Sequence, residues 1–311
     1  MPKFEWVGAA RADSDNTQFD PSRLLNCYRE RHGGGFVIKS VMGMTSHATL
    51  TGVFMREMQQ VGGNLYAAHG GKLYRVSAMG TTVTEGTILD AADTTISGNN
   101  GAITVAAGGE YYSIEGEVTS TPATGAFTNI GSVSLIGQRT VLTEKDGPRI
   151  QWSDPADSTT FDALNFATAE SRDDNLIRGM VINGQFWAFG ERSIERWYLS
   201  GSSNTSEFLL PVSGSTMDIG LKAFGLITEV TDGAFMVGSD NLPRLISGGA
   251  ASIAANPSVV TAISQGQPDR CFFYEDEGQK ICVIKFLDRP AWCFDLATKE
   301  WHERAEGELF S

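Results

Sequence analysis

Two stretches of this chain follow the same plan, and that plan limits what the whole can fold into. Leu65-Tyr66-Ala67-Ala68-His69-Gly70-Gly71-Lys72-Leu73-Tyr74-Arg75-Val76 runs from apolar and small residues through Gly-Gly to an aromatic. Ile103-Thr104-Val105-Ala106-Ala107-Gly108-Gly109-Glu110-Tyr111-Tyr112-Ser113-Ile114 does the same. A two-residue hairpin turn needs positive φ at both central positions, which glycine adopts without steric cost. β-rich runs on either side of such a turn read as paired antiparallel strands.

Further strand pairs follow. Residues 134–143 lead through Lys145-Asp146-Gly147-Pro148 to 149–153, and 179–190 turn at Asn183-Gly184 before 193–198. Residues 233–238 precede 243–246, and 270–274 precede 280–286 across Asp276-Glu277-Gly278. The last pair is 291–295 with 299–302. About six units result, at spacings of roughly 30–45 residues, the range of propellers and solenoids. Short antiparallel strands at this period favour a propeller over a parallel β-helix, whose coils are shorter. In Phe294-Asp295-Leu296-Ala297-Thr298-Lys299-Glu300-Trp301, Asp295 and Thr298 are placed to close a turn through their own side chains. Phe294 and Trp301 then face each other across the outer hairpin of a blade.

The expected fold is all-β: a propeller-like array of antiparallel strand units over residues 49–311, six blades favoured. Residues 1–48 do not repeat and read as an N-terminal arm that packs on the array or reaches a neighbour. Helix signals are sparse. Residues 162–170 read as one or two helical turns, broken by Ser171-Arg172-Asp173-Asp174-Asn175, and 200–206 as a polar loop tip.

A single core rarely serves as many as the 311 residues here, but a repeat array buries each unit on its neighbours. The 35 glycines and 10 prolines suit frequent turns between short strands. Acidic residues outnumber basic ones 37 to 24, giving a net charge of −13. No run of Lys and Arg supplies the basic patch that gripping phosphates requires, so a classical nucleic-acid reader is excluded as a class. No apolar stretch reaches the length of a membrane span, and Met1–Trp6 has no apolar signal core. The expectation is therefore a protein without a membrane span, made in the cytoplasm of its producing cell. Cys27, Cys271, Cys282 and Cys293 form no CxxC pair and read as reduced thiols packed in strands rather than zinc ligands.

No catalytic signature emerges. Gly33-Gly34-Gly35 lacks the Gly-Lys-Ser/Thr ending and helix of a phosphate loop, and reads as a flexible turn. Asp154, Asp157 and Asp162 could supply the paired carboxylates of glycoside hydrolysis, but aspartates in a segment such as Ser153-Asp154-Pro155-Ala156-Asp157-Ser158 build Asx-turns by default. The Asp-box of sialidases is absent. His32, His47, His69 and His302 are scattered, with no HExxH, and His69 reads as an exposed turn residue. Trp187, Trp197, Tyr198, Trp292 and Trp301 lie on expected strands. They read as blade cores, with a sugar-stacking platform as the functional alternative. No catalytic, cofactor-binding or metal-binding residue is assigned.

Several segments, in order, resemble one family. Arg23-Leu24-Leu25-Asn26-Cys27-Tyr28-Arg29-Glu30 resembles the Asn-x-Tyr-x-Glu opening of the packaged-DNA stabilisation, or tail-nozzle, proteins of short-tailed bacteriophages. Asn64–Ala68 and Lys72–Val76 are similar to that family's first blade. Gln151–Pro155 with Phe161–Glu170 is similar to its central segment, and Phe189–Trp197 followed by Ser200-Gly201 completes the match. The resemblance spans residues 23–304. It implies a non-enzymatic virion component of the tail: a homo-hexamer docked on a head–tail adaptor or portal ring, with a tail needle or tail fibre or spike proteins beyond it. Such a nozzle retains packaged DNA and conducts it during ejection, the DNA passing through the lumen without sequence-specific binding. Family members are longer than this chain, which departs from the pattern by stopping soon after Trp301; a distal or closing part is missing, shortened or supplied by another protein. The rival expectations are a carbohydrate- or receptor-binding propeller of a phage tail, and a propeller glycan hydrolase.

Overall fold

A computed structural model describes residues 24–305 except 33, 34, 42–45, 53, 170–172, 203 and 277. Six four-stranded antiparallel sheets, each a run of consecutive strands, are the blades of a β-propeller. A two-stranded ribbon, β1 (Cys27–His32) with β2 (Gly35–Ser40), precedes them. The chain divides into two compact units, Thr45–Phe224 and a unit combining Met1–Met44 with Gly225–Ser311.

The Thr45–Phe224 unit holds four blades. The first is β3 (Met55–Val61), β4 (Asn64–His69), β5 (Lys72–Val76) and β6 (Thr82–Thr87). The second is β7 (Thr94–Asn99), β8 (Ala102–Ala107), β9 (Glu110–Glu115) and β10 (Val118–Ser120). The third is β11 (Ile130–Ile136), β12 (Arg139–Glu144), β13 (Arg149–Trp152) and β14 (Phe166–Thr168). The fourth is β15 (Leu176–Ile182), β16 (Gln185–Gly190), β17 (Ile194–Leu199) and β18 (Leu209–Pro211). The first strands of successive blades, β3, β7, β11 and β15, pack side by side.

The turns form as their residues dictate. Gly70 and Gly71 sit at φ 54° and 76°, Gly108 and Gly109 at 60° and 94°, the left-handed pair a tight hairpin requires. Alternate residues of each strand then fall on faces that interlock between blades. Tyr66, Ala68, Leu73, Ile103, Val105 and Ile114 make one buried cluster across the first two blades. Trp152, Ile150, Phe186, Ala188 and Trp197 make another across the third and fourth. The expected helix at 162–170 is not formed. Phe166–Thr168 is strand β14, pairing with Arg149–Gln151, and Asp162 turns the chain by accepting a 2.9 Å hydrogen bond from the Leu164 amide. The side chain of Phe166 is exposed while Ala167 packs against the cluster, so the apolar residues there satisfy a sheet edge rather than a helix face.

The second unit holds the fifth blade, β19 (Ile227–Val230), β20 (Gly233–Val237), β21 (Pro243–Ser247) and β22 (Ala250–Ile253), and the sixth, β23 (Pro268–Asp276), β24 (Gln279–Phe286), β25 (Ala291–Asp295) and β26 (Trp301–Arg304). Between them runs α1 (Pro257–Gln265), the one α-helix among the described residues. It begins where Asn256 caps the Val259 amide at 2.9 Å and Pro257 occupies the first turn, where its missing N–H costs nothing. Val259 and Ile263 face the core that Phe235, Phe294, Trp292 and Trp301 fill. Phe294 lies directly opposite Trp301 in the ladder, with ring centroids 5.0 Å apart, and Asp295 accepts from the Ala297 amide at 2.7 Å. The outer hairpin of the last blade is thus built as its sequence anticipates.

Candidate functional site: an inner polar rung and a charged ribbon

The inner strands of the first unit share a local irregularity. β3, β11 and β15 each carry a register shift after their first residue, at Met55/Glu57, Ile130/Ser132 and Leu176/Arg178. The residues that follow, Glu57, Ser132 and Arg178, occupy the same ladder position, and Thr95 takes that place on β7. All four are polar. Thr95 Oγ1 accepts the Val133 amide of the next blade at 2.8 Å, and Ser132 Oγ accepts the Gly179 amide of the blade after at 2.8 Å. Ser132 Oγ also meets Thr143 Oγ1 at 2.7 Å. The series ends in an ion pair: Arg178 Nη2 of the fourth blade lies 3.8 Å from Glu57 Oε2 of the first. The guanidinium also rests over the Phe224 ring, 5.1 Å from its centroid. At the boundaries between the second and third and between the third and fourth blades a hydroxyl oxygen accepts from a buried amide of the next blade, and the carboxylate–guanidinium contact joins the inner strands of the first and fourth blades.

In the other unit the ribbon is fastened to the outermost strand of the sixth blade. Asn26 N donates to Glu303 O at 2.8 Å and Glu303 N to Leu24 O at 2.8 Å. Asn26, at φ 53°, then turns the chain, and its side chain makes a reciprocal pair with Ala305: Nδ2 to the carbonyl at 3.0 Å, Oδ1 from the amide at 2.9 Å. Arg29 Nη1 reaches Glu300 Oε1 at 2.8 Å. Behind these, Arg304 Nε donates to His302 Nε2 at 3.0 Å, and its guanidinium also donates to the Tyr274 hydroxyl. His302 is buried, 2% exposed, and burial holds its imidazole down to about 4. Strand β2 pairs only with β1 among the described residues, and Val37, Ile38, Lys39 and Ser40 are exposed.

The residues singled out from sequence are placed as follows. Asp157 Oδ1 accepts from the Thr159 amide at 2.6 Å, the Thr159 hydroxyl at 2.8 Å and the Thr160 amide at 3.2 Å. Burial pushes that carboxyl up, and the hydrogen bonds from Thr159 and Thr160 outweigh it, leaving it below the usual range. Asp154 is partly buried, 3.9 Å from Arg139 Nη1. Asp154 thus faces Arg139, while Asp157 and Asp162 each hold the turn they stand in. The five described tryptophans, Trp152, Trp187, Trp197, Trp292 and Trp301, are all buried, so none offers a face to a sugar; Tyr198 is exposed. His69, read as an exposed turn residue, is partly buried with Nδ1 3.3 Å from Thr51 O, and His47 Nε2 lies 3.1 Å from Ser77 O. His32 ends β1; Gly33 and Gly34 lie outside the described residues and Gly35 begins β2. Cys271, Cys282 and Cys293 are buried free thiols, each pushed up by burial, Cys282 to about 12. Among the described residues no group of three or more His, Cys, Asp or Glu is arranged to hold a metal ion. No helix among the described residues is long and apolar enough to cross a membrane. Sequence reasoning missed the polar rung, whose members are four different residue types; their only shared signal is polarity near the start of each blade's first strand.

Residues 7–304 match the family model described as "Bacteriophage P22 Gp10, beta-propeller". No curated protein matches the chain in sequence. Among solved structures, the extracellular domain of the hybrid two-component system BT4673 from B. thetaiotaomicron is similar at a TM-score of 0.52 and 9% identity, covering 89% of this chain and 38% of that one. The corresponding domain of BT3049 from the same organism gives 0.51 and 10%, covering 84% and 36%. The computationally designed Ika8 protein gives 0.50 and 10%, covering 89% and 82%. The chain spans little more than a third of the two bacterial domains, and at these identities the likeness is one of fold.

Proposed function

Because the chain belongs to the bacteriophage P22 Gp10 family of β-propellers, we propose that this phage structural protein is a tail nozzle of a short-tailed virion, which retains packaged DNA and conducts it at ejection. The family match over residues 7–304 is the observation that carries the reading. In it, six copies form a ring beneath the head–tail adaptor or portal ring and hold a needle, fibre or spike below. The function is mechanical: sealing, conduction and assembly.

Two physical features support this assignment. The net charge of −13 suits a wall along which DNA slides without sticking, since a surface that does not neutralise phosphates releases no counterions on contact. And Glu57 and Arg178 close on each other at 3.8 Å between the inner strands of the first and fourth blades, which leaves no room for a duplex between those strands. A conduit for DNA is then made between copies, not along the inner strands of one.

The test is oligomeric mass by native mass spectrometry, with and without the portal and adaptor ring, followed by electron cryomicroscopy of the assembly. The expected result is a six-fold ring whose channel admits duplex DNA, a bore of about 20 Å or more given a major groove of about 12 Å. A protein that stays monomeric in the presence of the connector overturns the reading. In the same framework, phage assembled without this protein fill their heads and then lose the DNA.

A further inference from the structure

The contacts that fasten the ribbon fall on β26 and the residues beside it. Leu24 and Asn26 bond to the Glu303 backbone, the Asn26 side chain bonds to Ala305, and Arg29 reaches Glu300. A segment held along one short strand opens at lower cost than a strand paired on both edges inside a blade.

His302 stands in the middle of that anchor, and charged or titratable groups meet it from four strands. On β26 itself, Arg304 Nε donates to His302 Nε2 at 3.0 Å. Tyr274 of β23 takes a further hydrogen bond from the same guanidinium. On β25, Cys293 lies directly opposite His302 in the ladder, and the Asp295 charge favours the imidazolium. From the ribbon, the Tyr28 ring packs 6.2 Å from the imidazole. Arginine keeps its protons, so Nε2 is an acceptor and the docked ring is neutral. A proton arriving at Nε2 takes the place of the Arg304 donor and sets a second cation beside the first, in a site only 2% exposed.

We infer that the β1–β2 ribbon is an acid-released strap: protonation of His302 lifts β1 from β26 while the sheet of the sixth blade stays folded. Burial outweighs Asp295 and holds the docked imidazole down to about 4, against an ordinary 6.5. The open form therefore takes the proton first, and docking weakens as pH falls from 6.5 toward 4. Glu300 acts the other way. Burial, opposed by Arg29 and helped by Asp295, raises its carboxyl, so it favours the docked form in acid. The imidazole is displaced further and decides the sign. The strap does not depend on the nozzle reading.

The test is hydrogen exchange of the full-length protein between pH 7 and 4, read by mass spectrometry and corrected for the intrinsic pH dependence of exchange. Peptides carrying the Asn26 and Glu303 amides are compared with β24. Ribbon opening is expected to rise about 100-fold across the range, the factor that the displaced imidazole allows, while β24 keeps its protection. In His302→Asn the ribbon keeps its neutral-pH protection down to pH 4; His302→Gln, equally uncharged, serves if that variant fails to fold. Arg29→Gln loosens the ribbon already at pH 7, which shows that the readout follows docking. A ribbon whose opening does not change with pH overturns the inference. So does the same acid release without His302, or loss of protection in β24 together with the ribbon.

Discussion

Arg178 and Glu57 belong to the inner strands of the fourth and first blades, yet their charged groups meet at 3.8 Å with side chains only 11% and 17% exposed. Removing one partner leaves the other's charge largely desolvated without its counter-charge. Arg178→Met is expected to lower unfolding free energy by about 3 kcal/mol, the cost typical of breaking a buried pair. Glu57→Gln keeps a hydrogen-bonding group and costs less. Urea titration of both single variants and the double variant measures the coupling; strict additivity would show that the pair does not act as a unit.

The hydroxyls of the same rung serve neighbouring blades, so their loss strands a buried amide. Ser132→Ala, which orphans Gly179 N and also removes the partner of Thr143, is expected to cost about 1–3 kcal/mol. Thr95→Val preserves shape and orphans only Val133 N, and falls at the lower end of that range. Denaturant midpoints for the two variants check the order.

His302 gives stability a pH dependence of definite sign. Its imidazole ordinarily titrates near 6.5 and is held down to about 4 in the fold, so the unfolded chain binds the extra proton between those values. The contribution is fully present above about pH 6.5 and is lost as pH falls toward 4, a total of about 3 kcal/mol. Protonation also removes the Nε2 acceptor of Arg304. Subtracting the profile of His302→Asn from that of the native chain isolates this slope; identical slopes between pH 4 and 6.5 would count against it.

The thiols divide by burial. Cys271, Cys282 and Cys293 are inaccessible and held as thiols, whereas Cys27 is only partly buried in the ribbon root. A disulfide reagent at neutral pH is expected to modify Cys27 alone in native protein, slowly because burial raises that thiol too, and all four in urea. Mass spectrometry of the labelled peptides gives the assignment.

Much of this fold is legible because hairpin chemistry is local. Gly70-Gly71, Gly108-Gly109 and Asn183-Gly184 announce their turns whatever surrounds them, and the Phe294–Trp301 pair follows from the turn that Asp295 sets. Strand β14 is obscured in the sequence because Ala163, Phe166 and Ala167 mimic helical spacing, while pairing with β13 decides the conformation. Helix α1 had a readable start in Asn256-Pro257, but its apolar face, Val259, Ala262 and Ile263, is short and resembles a strand run. The candidate site was least legible. Glu57 and Arg178 are brought together by ring architecture, and no sequence spacing encodes a contact 121 positions apart.

The ribbon that follows Asn26 is held by Glu303 and Ala305, 279 positions later in the case of Ala305. The first described segment to leave the ribosome therefore waits for β26 before it can be fastened. Docking of the ribbon reports that translation has passed β26. A chain cut short before β26 lacks the residues that fasten its ribbon, so the geometry separates chains that have completed the sixth blade from those that have not.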